Sequence, residues 1–227
     1  MAHAPRIQAV AFDAFGTLFD VYSVGLLAEQ LYPGKGTALA ELWRIKQIEY
    51  SFIRTLSGRY KSFWDITQDG LQYAAAKLGL ELDAQRRTQL MNQYACLSPF
   101  PENLGALRTL KEAGVPTAIL SNGTPGMLEA AAKAAGIAPL VDEILSVEEV
   151  GTFKPDPRVY RLATRQFGCP PDRLMFVSAN AWDAQAAHAC NMDVVRVDRA
   201  GAPDEYGLAA TGVPVLRDLS GLPDLLA

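Results

Sequence analysis

Asp13 closes the apolar run Ile7-Gln8-Ala9-Val10-Ala11-Phe12 and is followed by Ala14-Phe15-Gly16-Thr17. A carboxylate at the end of a buried strand is costly unless it is solvated, hydrogen-bonded or used. Held ionised beside a cation, it can act as a nucleophile. Three later clusters carry groups suited to such a centre: Ser121-Asn122-Gly123-Thr124-Pro125, Lys154-Pro155-Asp156-Pro157, and Ser178-Ala179-Asn180-Ala181-Trp182-Asp183. The position two after Asp13 is Phe15, so no second acid stands there to act as a proton donor. The two histidines, His3 and His188, fall in an N-terminal tail and within a helix, which leaves a Ser-His-Asp or Cys-His system without a base.

Each of these residues also has a plainer local role. Asp13 suits a turn before Gly16-Thr17, and the Thr17 hydroxyl serves equally to bond a loop carbonyl or to orient Asp13. Thr124 supplies a helix cap ahead of Pro125, which leaves Ser121 and Asn122 as spare polar groups able to hold an anion with the backbone N–H groups of the helix start. Pro155 holds Lys154 extended at the mouth of a crevice, and Asp156 caps the helix from Pro157. Tyr160 falls in the first turn of that helix. Asn180 and Asp183 have the spacing of a capping box, with Asp in place of the usual Glu or Gln.

The elements that must bring these clusters together follow from periodicity. One strand precedes Asp13, and a helical stretch of about seventy residues follows Gly16. Within that stretch Leu39, Leu42, Trp43, Ile45, Ile48, Phe52 and Ile53 recur at near-helical spacing, with polar Glu41, Lys46 and Gln47 between them. Further helices are predicted over Ser62 to Lys77 and Asp83 to Cys96. Beyond Pro101 helices and strands alternate, the pattern of a parallel sheet covered on both faces. The predicted helices run from Glu102 to Ala113, Pro125 to Ala135, Pro157 to Phe167 and Ala181 to Cys190. The strands run from Val115 to Leu120, Glu143 to Ser146, Leu174 to Val177 and Asp193 to Val197, with a last strand near Val213 to Leu216 and a short terminal helix. Ligands in such sheets gather outside the carboxyl ends of the strands, where all four clusters fall.

The chain of 227 residues is 49% apolar with a formal charge of -4, which fits a globular protein with a sizeable core. Its charges are interspersed, which argues against a nucleic-acid partner, and Arg86-Arg87 reads as a solvated helix face. No apolar run approaches the roughly 20 residues that span a bilayer, and the N-terminus lacks a signal-like core, so no membrane association and a cytoplasmic location are expected. Cys96, Cys169 and Cys190 are odd in number and widely spaced, and read as core thiols.

Taken in order, these clusters resemble the haloacid dehalogenase superfamily, and within it the L-2-haloacid dehalogenases. The resemblance rests on Phe12-Asp13-Ala14-Phe15-Gly16-Thr17-Leu18-Phe19-Asp20, Leu42-Trp43-Arg44, Ile119-Leu120-Ser121-Asn122-Gly123, Lys154-Pro155-Asp156 with Tyr160, and Phe176-Val177-Ser178-Ala179-Asn180-Ala181-Trp182-Asp183-Ala184. It implies an α/β fold with a Rossmann-like core over residues 1–18 and 99–227 and a helical cap over 19–98.

The resemblance also implies a chemistry. Asp13 attacks C2 of a short-chain L-2-haloalkanoate, halide leaves with inversion, and water hydrolyses the aspartyl ester to a D-2-hydroxy acid. Thr17 orients Asp13, Arg44 takes the halide with Asn122 opposite, and Ser121 binds the substrate carboxylate. Lys154 and Tyr160 steady Asp13 and the substrate, while Ser178, Asn180 and Asp183 position or activate water. Phe15, Ile45, Ile48, Phe63 and Trp182 line the substrate pocket, with Phe15 standing where many relatives carry Tyr and Ile45 where some carry a polar residue. No metal or other cofactor is implied: halide needs no proton on leaving, and a carboxylate substrate needs no magnesium. A small-molecule substrate and a homodimer are expected. The alternatives are a metal-dependent phosphatase or phosphonate hydrolase on the same fold, and a non-catalytic binder of small carboxylates.

Overall fold

The protein is described by a computed structural model over residues 7–226. His3 and the rest of the N-terminal tail therefore lie outside the described residues. Strands β1 (Ala9–Phe12), β2 (Thr117–Ser121), β3 (Glu143–Ser146), β4 (Leu174–Ser178), β5 (Asp193–Val197) and β6 (Val215–Leu216) form one sheet in the order β3-β2-β1-β4-β5-β6. Every pairing is parallel. Every residue of β1, β2 and β4 is buried, as expected of strands covered on both faces.

The helices are α1 (Gly25–Leu31), α2 (Gly36–Ser57), α3 (Phe63–Lys77), α4 (Ala84–Ala95), α5 (Asn103–Glu112), α6 (Pro125–Ala134), α7 (Pro157–Phe167) and α8 (Ala181–Ala189). Their starts follow from the capping residues. Ser62, Asp83, Thr124 and Asp156 each accept a hydrogen bond from a first-turn N–H, of Asp65, Arg86, Met127 and Arg158 respectively.

β1 lies between β2 and β4, so the connections run outward on opposite sides and leave a crevice at the carboxyl ends of the central strands. Phe12 pairs with Ile119 and with Val177, which sets Asp13, Ser121 and Ser178 around that crevice. Helices α1 to α4 intervene between β1 and α5, packing α2 along α1 and α3. The two segments that join them to the sheet run side by side. Asp20 N–H donates to Ser98 O at 2.8 Å, and Asn103 Nδ2 to Leu18 O at 2.6 Å. Arg199, after β5, clamps both segments, donating to the Glu102 carboxylate and to the carbonyls of Gly16 and Thr17.

Several expectations are corrected. Helix α1 has no capping side chain and gave no start signal. Gln47, expected on the polar side of α2, is fully buried, whereas Ile53 is exposed, because the inward face of α2 meets a polar site as well as an apolar core. The terminal helix is two short 3₁₀ turns, Leu219–Gly221 and Pro223–Leu225, and the last strand is two residues long. Of the three thiols only Cys169 is buried; Cys96 is exposed and Cys190 half-buried. Arg86 and Arg87 are half-buried, with Arg86 lying over the Tyr32 ring. Among the described residues, no helix is long and apolar enough to cross a membrane.

Candidate active site

Asp13 is 5% exposed, and each of its oxygens has named donors. Lys154 Nζ donates to Oδ1 at 3.0 Å; Thr17 Oγ1 at 3.0 Å and Asn180 Nδ2 at 2.8 Å donate to Oδ2. The turn that frees Asp13 from the sheet passes through Gly16, whose φ of 97° favours a residue without Cβ. Thr17 Oγ1 also accepts from Ala179 N–H at 2.8 Å, tying the loop after β1 to the loop after β4.

Lys154 is fully buried rather than at a crevice mouth. Its ammonium bridges Asp13 and Asp183, reaching Asp183 Oδ2 at 2.8 Å, and sits 4.8 Å from the centre of the Phe176 ring. Burial alone would lower its pKa, but the two carboxylates outweigh that and hold it above the ordinary lysine value. Asp183 is pushed up to about 6, chiefly by burial and then by the charge of Asp13, against the opposing pull of Lys154. Tyr160 donates to Asp183 Oδ1 at 2.6 Å, so its hydroxyl serves Asp183 and not Asp13. Burial and Asp183 raise the Tyr160 pKa well above its usual value, which keeps the phenol protonated and donating.

Asn180 and Asp183 do not form a capping box. Asn180 sits at the start of α8 without a side-chain cap, because its amide is turned to Asp13 and to the carbonyl of Phe15, 3.0 Å from Nδ2. Ser178 Oγ accepts from Asn180 N–H at 3.1 Å and lies 3.2 Å from Asp183 Oδ2.

Ser121 and Asn122 are less free than expected. Ser121 Oγ accepts from Gly123 N–H at 3.1 Å, which leaves its own hydrogen to donate. Asn122 Oδ1 accepts from Lys154 N–H at 3.0 Å, joining the loop after β2 to the segment that carries the lysine. A Cβ on Gly123 would meet Phe15 Cε2 at 2.8 Å, so only glycine allows the Phe15 ring to close against this loop.

Arg44 projects from α2 into the same region and is 7% exposed. Nη2 donates to Phe15 O at 3.0 Å and approaches Asn180 Oδ1 at 3.4 Å, while Nη1 donates to Gln47 Oε1 at 2.8 Å. Every acceptor described for this guanidinium is neutral, and among the described residues no salt bridge to it is found. A buried cation without a counter-ion is a place for an anion.

Asp13, Thr17, Arg44, Ser121, Asn122, Lys154, Tyr160, Ser178 and Asp183, all buried, therefore form one constellation with the half-buried Asn180. The aromatic wall is Phe15 with Phe63, ring centres 5.4 Å apart, and Tyr94 at 5.7 Å from Phe15. Trp182 is half-buried and meets Phe52 of α2 edge-on at 5.1 Å. Ile45 is 58% exposed, because one residue beyond Arg44 turns it off the inward face of the helix. Ile48 is half-buried. Sequence reasoning missed Gln47, Thr67 and Tyr94, whose hydrogen bonds surround Arg44; the spacing of Gln47 one helical turn after Arg44 is the signal that would have found the first.

Residues 7–191 match the family description "haloacid dehalogenase-like hydrolase". An (S)-2-haloacid dehalogenase of Pseudomonas putida is 42% identical over 222 residues, covering 97% of each chain. The chain belongs to the haloacid dehalogenase-like hydrolases, among the L-2-haloacid dehalogenases. A solved L-2-haloacid dehalogenase superposes with a TM-score of 0.92 at 49% identity, over 97% of this chain and 98% of the other. The L-2-haloacid dehalogenase of Xanthobacter autotrophicus, solved with chloropropionic acid covalently bound, gives 0.86 at 36% identity over 96% and 98%. The parallel sheet and the order of its strands fit this hydrolase family.

Proposed function

We propose that this hydrolase converts short-chain L-2-haloalkanoic acids to D-2-hydroxy acids through an ester on Asp13. The carboxylate attacks C2 in line with the carbon–halogen bond. The bond to halogen breaks, halide leaves towards Arg44, and the configuration at C2 inverts. Water then adds to the carbonyl carbon of the ester. Asp183 takes a proton from it, being ionised at neutral pH and close enough to neutrality to exchange protons readily. The bond from that carbon to the oxygen on C2 then breaks, the departing hydroxy acid takes the proton back from Asp183, and the second water proton leaves to solvent as Asp13 returns to a carboxylate carrying the water oxygen. Lys154 holds Asp13 Oδ1 at 3.0 Å before the attack and balances Asp183 after it. Thr17 and Asn180 orient the attacking carboxylate, Ser178 positions the water, and Ser121 offers its hydroxyl to the substrate carboxylate. Phe15, Phe63, Ile48 and Trp182 keep water from the carbon centre in the first step.

The observation that carries this reading is Arg44, a buried cation with only neutral acceptors, set beside a buried carboxylate through Phe15 O and Asn180. A phosphatase reading is less suited to these residues. Phe15 supplies no acid for an alkoxide leaving group, and the Lys154 ammonium already bridges the two carboxylates that a divalent ion would use.

The proposal extends to organisation. Residues 1–18 and 99–227 form the core and 19–98 a helical cap. The protein is cytoplasmic and a homodimer, with Ile45, Ile53 and Leu56 on the exposed face of α2 as apolar surface for the second copy. Light scattering that returns a monomer mass would remove the dimer.

The deciding experiment supplies L-2-chloropropionate with EDTA present and measures chloride and D-lactate. Both should form in equal amounts. Asp13→Asn should form neither while keeping its fold, and one turnover in isotopically heavy water should leave heavy oxygen in Asp13. Phosphate release from esters that requires magnesium, without chloride release, would favour a phosphatase. Binding of small carboxylates without turnover would favour the binder.

A further inference from the structure

Arg44 is held by a buried polar chain that the reaction itself does not call for. Gln47, one turn along α2, is fully buried, as is Thr67 on α3, and Tyr94 on α4 is nearly so. Gln47 Oε1 accepts from Arg44 Nη1 and from the Tyr94 hydroxyl, both at 2.8 Å. Gln47 Nε2 donates to Thr67 Oγ1 at 2.6 Å, and that hydroxyl passes its own hydrogen to Phe63 O at 2.6 Å. The order of donors fixes the amide: Thr67 Oγ1 is committed as a donor to Phe63, so it accepts from Nε2, and Oε1 must face Arg44.

We propose that Gln47, locked by Thr67 and Tyr94, is the positioning residue that aims Arg44 at the departing halide while leaving the guanidinium charge uncompensated. A carboxylate at the same place would hold the arginine at least as firmly. It would also neutralise it, and a neutralised cation in a buried site attracts an anion far less. The amide gives direction without charge, and that combination is what a halide-accepting arginine requires. The inference rests on Arg44 serving as the halide site, as set out above.

The test measures competitive inhibition by bromide and the release rates of bromide and chloride from L-2-bromo- and L-2-chloropropionate. Wild type is compared with Gln47→Glu, Thr67→Val, Thr67→Ser and Arg44→Ala. Gln47→Glu should raise the bromide inhibition constant by about tenfold or more, the scale of one charge-assisted hydrogen bond. It should also slow chloride release more than bromide release, since the poorer leaving group depends more on the cation. Thr67→Val frees the amide to turn its NH₂ towards Arg44 and should raise the constant by about threefold or more, a fraction of that same bond. Thr67→Ser should restore it.

A purely structural role for Gln47 would lower thermal stability and leave both the bromide constant and the ratio of the two release rates unchanged. Folded Gln47→Glu with a bromide constant near that of wild type would overturn the proposal. If Gln47→Glu fails to fold, Thr67→Val decides: an unchanged constant overturns the proposal, and a raised one rescued by Thr67→Ser supports it. Arg44→Ala separates the two levels. If its bromide constant and rates match wild type, the halide role of Arg44 falls and this inference with it. If Arg44→Ala loses halide binding while the Gln47 and Thr67 variants do not, this inference alone falls.

Discussion

Replacing Lys154 by methionine keeps most of the volume of the side chain and removes its charge. The ammonium is fully buried and lies 3.0 Å from Asp13 and 2.8 Å from Asp183, so the variant leaves two carboxylates facing each other without their cation. Breaking a buried pair costs about 3–5 kcal/mol when the remaining charge is retained. Here part of that cost is avoided by a proton. Asp183 already titrates at about 6 with the lysine in place, and without it one carboxyl of the pair holds its proton to a higher pH. A carboxyl whose folded pKa is raised stabilises the fold below its unfolded value, and that contribution is lost as pH rises through the folded value. The deficit relative to wild type should therefore be about 1–2 kcal/mol near pH 6 and grow by about 1.4 kcal/mol per pH unit above it, towards 4–5 near pH 8. At about 2–4 °C per kcal/mol for a chain of this size, the melting midpoint should fall by roughly 8–20 °C at pH 8. Urea unfolding of both proteins at pH 6, 7 and 8 measures this, and Lys154→Met combined with Asp183→Asn should recover part of the loss at pH 8. A deficit that does not change between pH 6 and 8, or one below about 1 kcal/mol at pH 8, would refute the account of Lys154 as the counter-ion of both acids.

Three further outcomes follow from the same geometry. In the proposed hydrolysis Asp183 must be ionised to accept a proton from water, so the rate of halide release should fall as pH drops through about 6, with no alkaline limb from Lys154 below the ordinary lysine range, and Asp183→Asn should stop turnover after a single burst of halide. Thr55 on α2 accepts from Phe153 N–H at 3.2 Å and reaches Phe153 O at 3.4 Å, one residue before Lys154, so Thr55→Val should cost about 1–3 kcal/mol in urea unfolding and slow turnover, and Thr55→Ser should restore both. Gly123→Ala sets a Cβ 2.8 Å from the Phe15 ring and 2.9 Å from Leu128 Cδ2, and should cost about 1–3 kcal/mol by overpacking while lowering activity, read by thermal melting and halide release.

Most of the sheet and the four clusters at its edge were legible because strand ends carry their own punctuation. Asp13, Thr124-Pro125 and Asp156-Pro157 mark, in one dimension, where a buried run stops and a helix starts. What the chain did not reveal is how polar side chains choose among partners. Asn180 has the spacing of a cap, yet its amide turns to Asp13, where a buried carboxylate needs donors. Gln47 looked like a solvent-facing residue because burial of an amide depends on Thr67 and Tyr94, which arrive from helices far along the sequence. Ile45 was placed in the pocket by the resemblance, yet it follows Arg44 directly, and adjacency in a helix points two side chains in different directions.

The two anion-handling halves of the site are built on opposite electrostatic plans, and Asn180 joins them. On one side, Asp13 and Asp183 share a single buried ammonium, an arrangement with one negative charge in excess. On the other, Arg44 is surrounded by amide and carbonyl oxygens and keeps its positive charge in full. The Nδ2 of Asn180 donates to Asp13 while its Oδ1 faces Arg44, so one amide dipole lies along the line from the excess negative charge to the excess positive one. In the proposed displacement, charge that moves from the Asp13 carboxylate onto a departing halogen travels down that field. Each half would be costly without the other in a low-dielectric interior. Together they favour a displacement at carbon in which an anion leaves one end of the site and is received at the other.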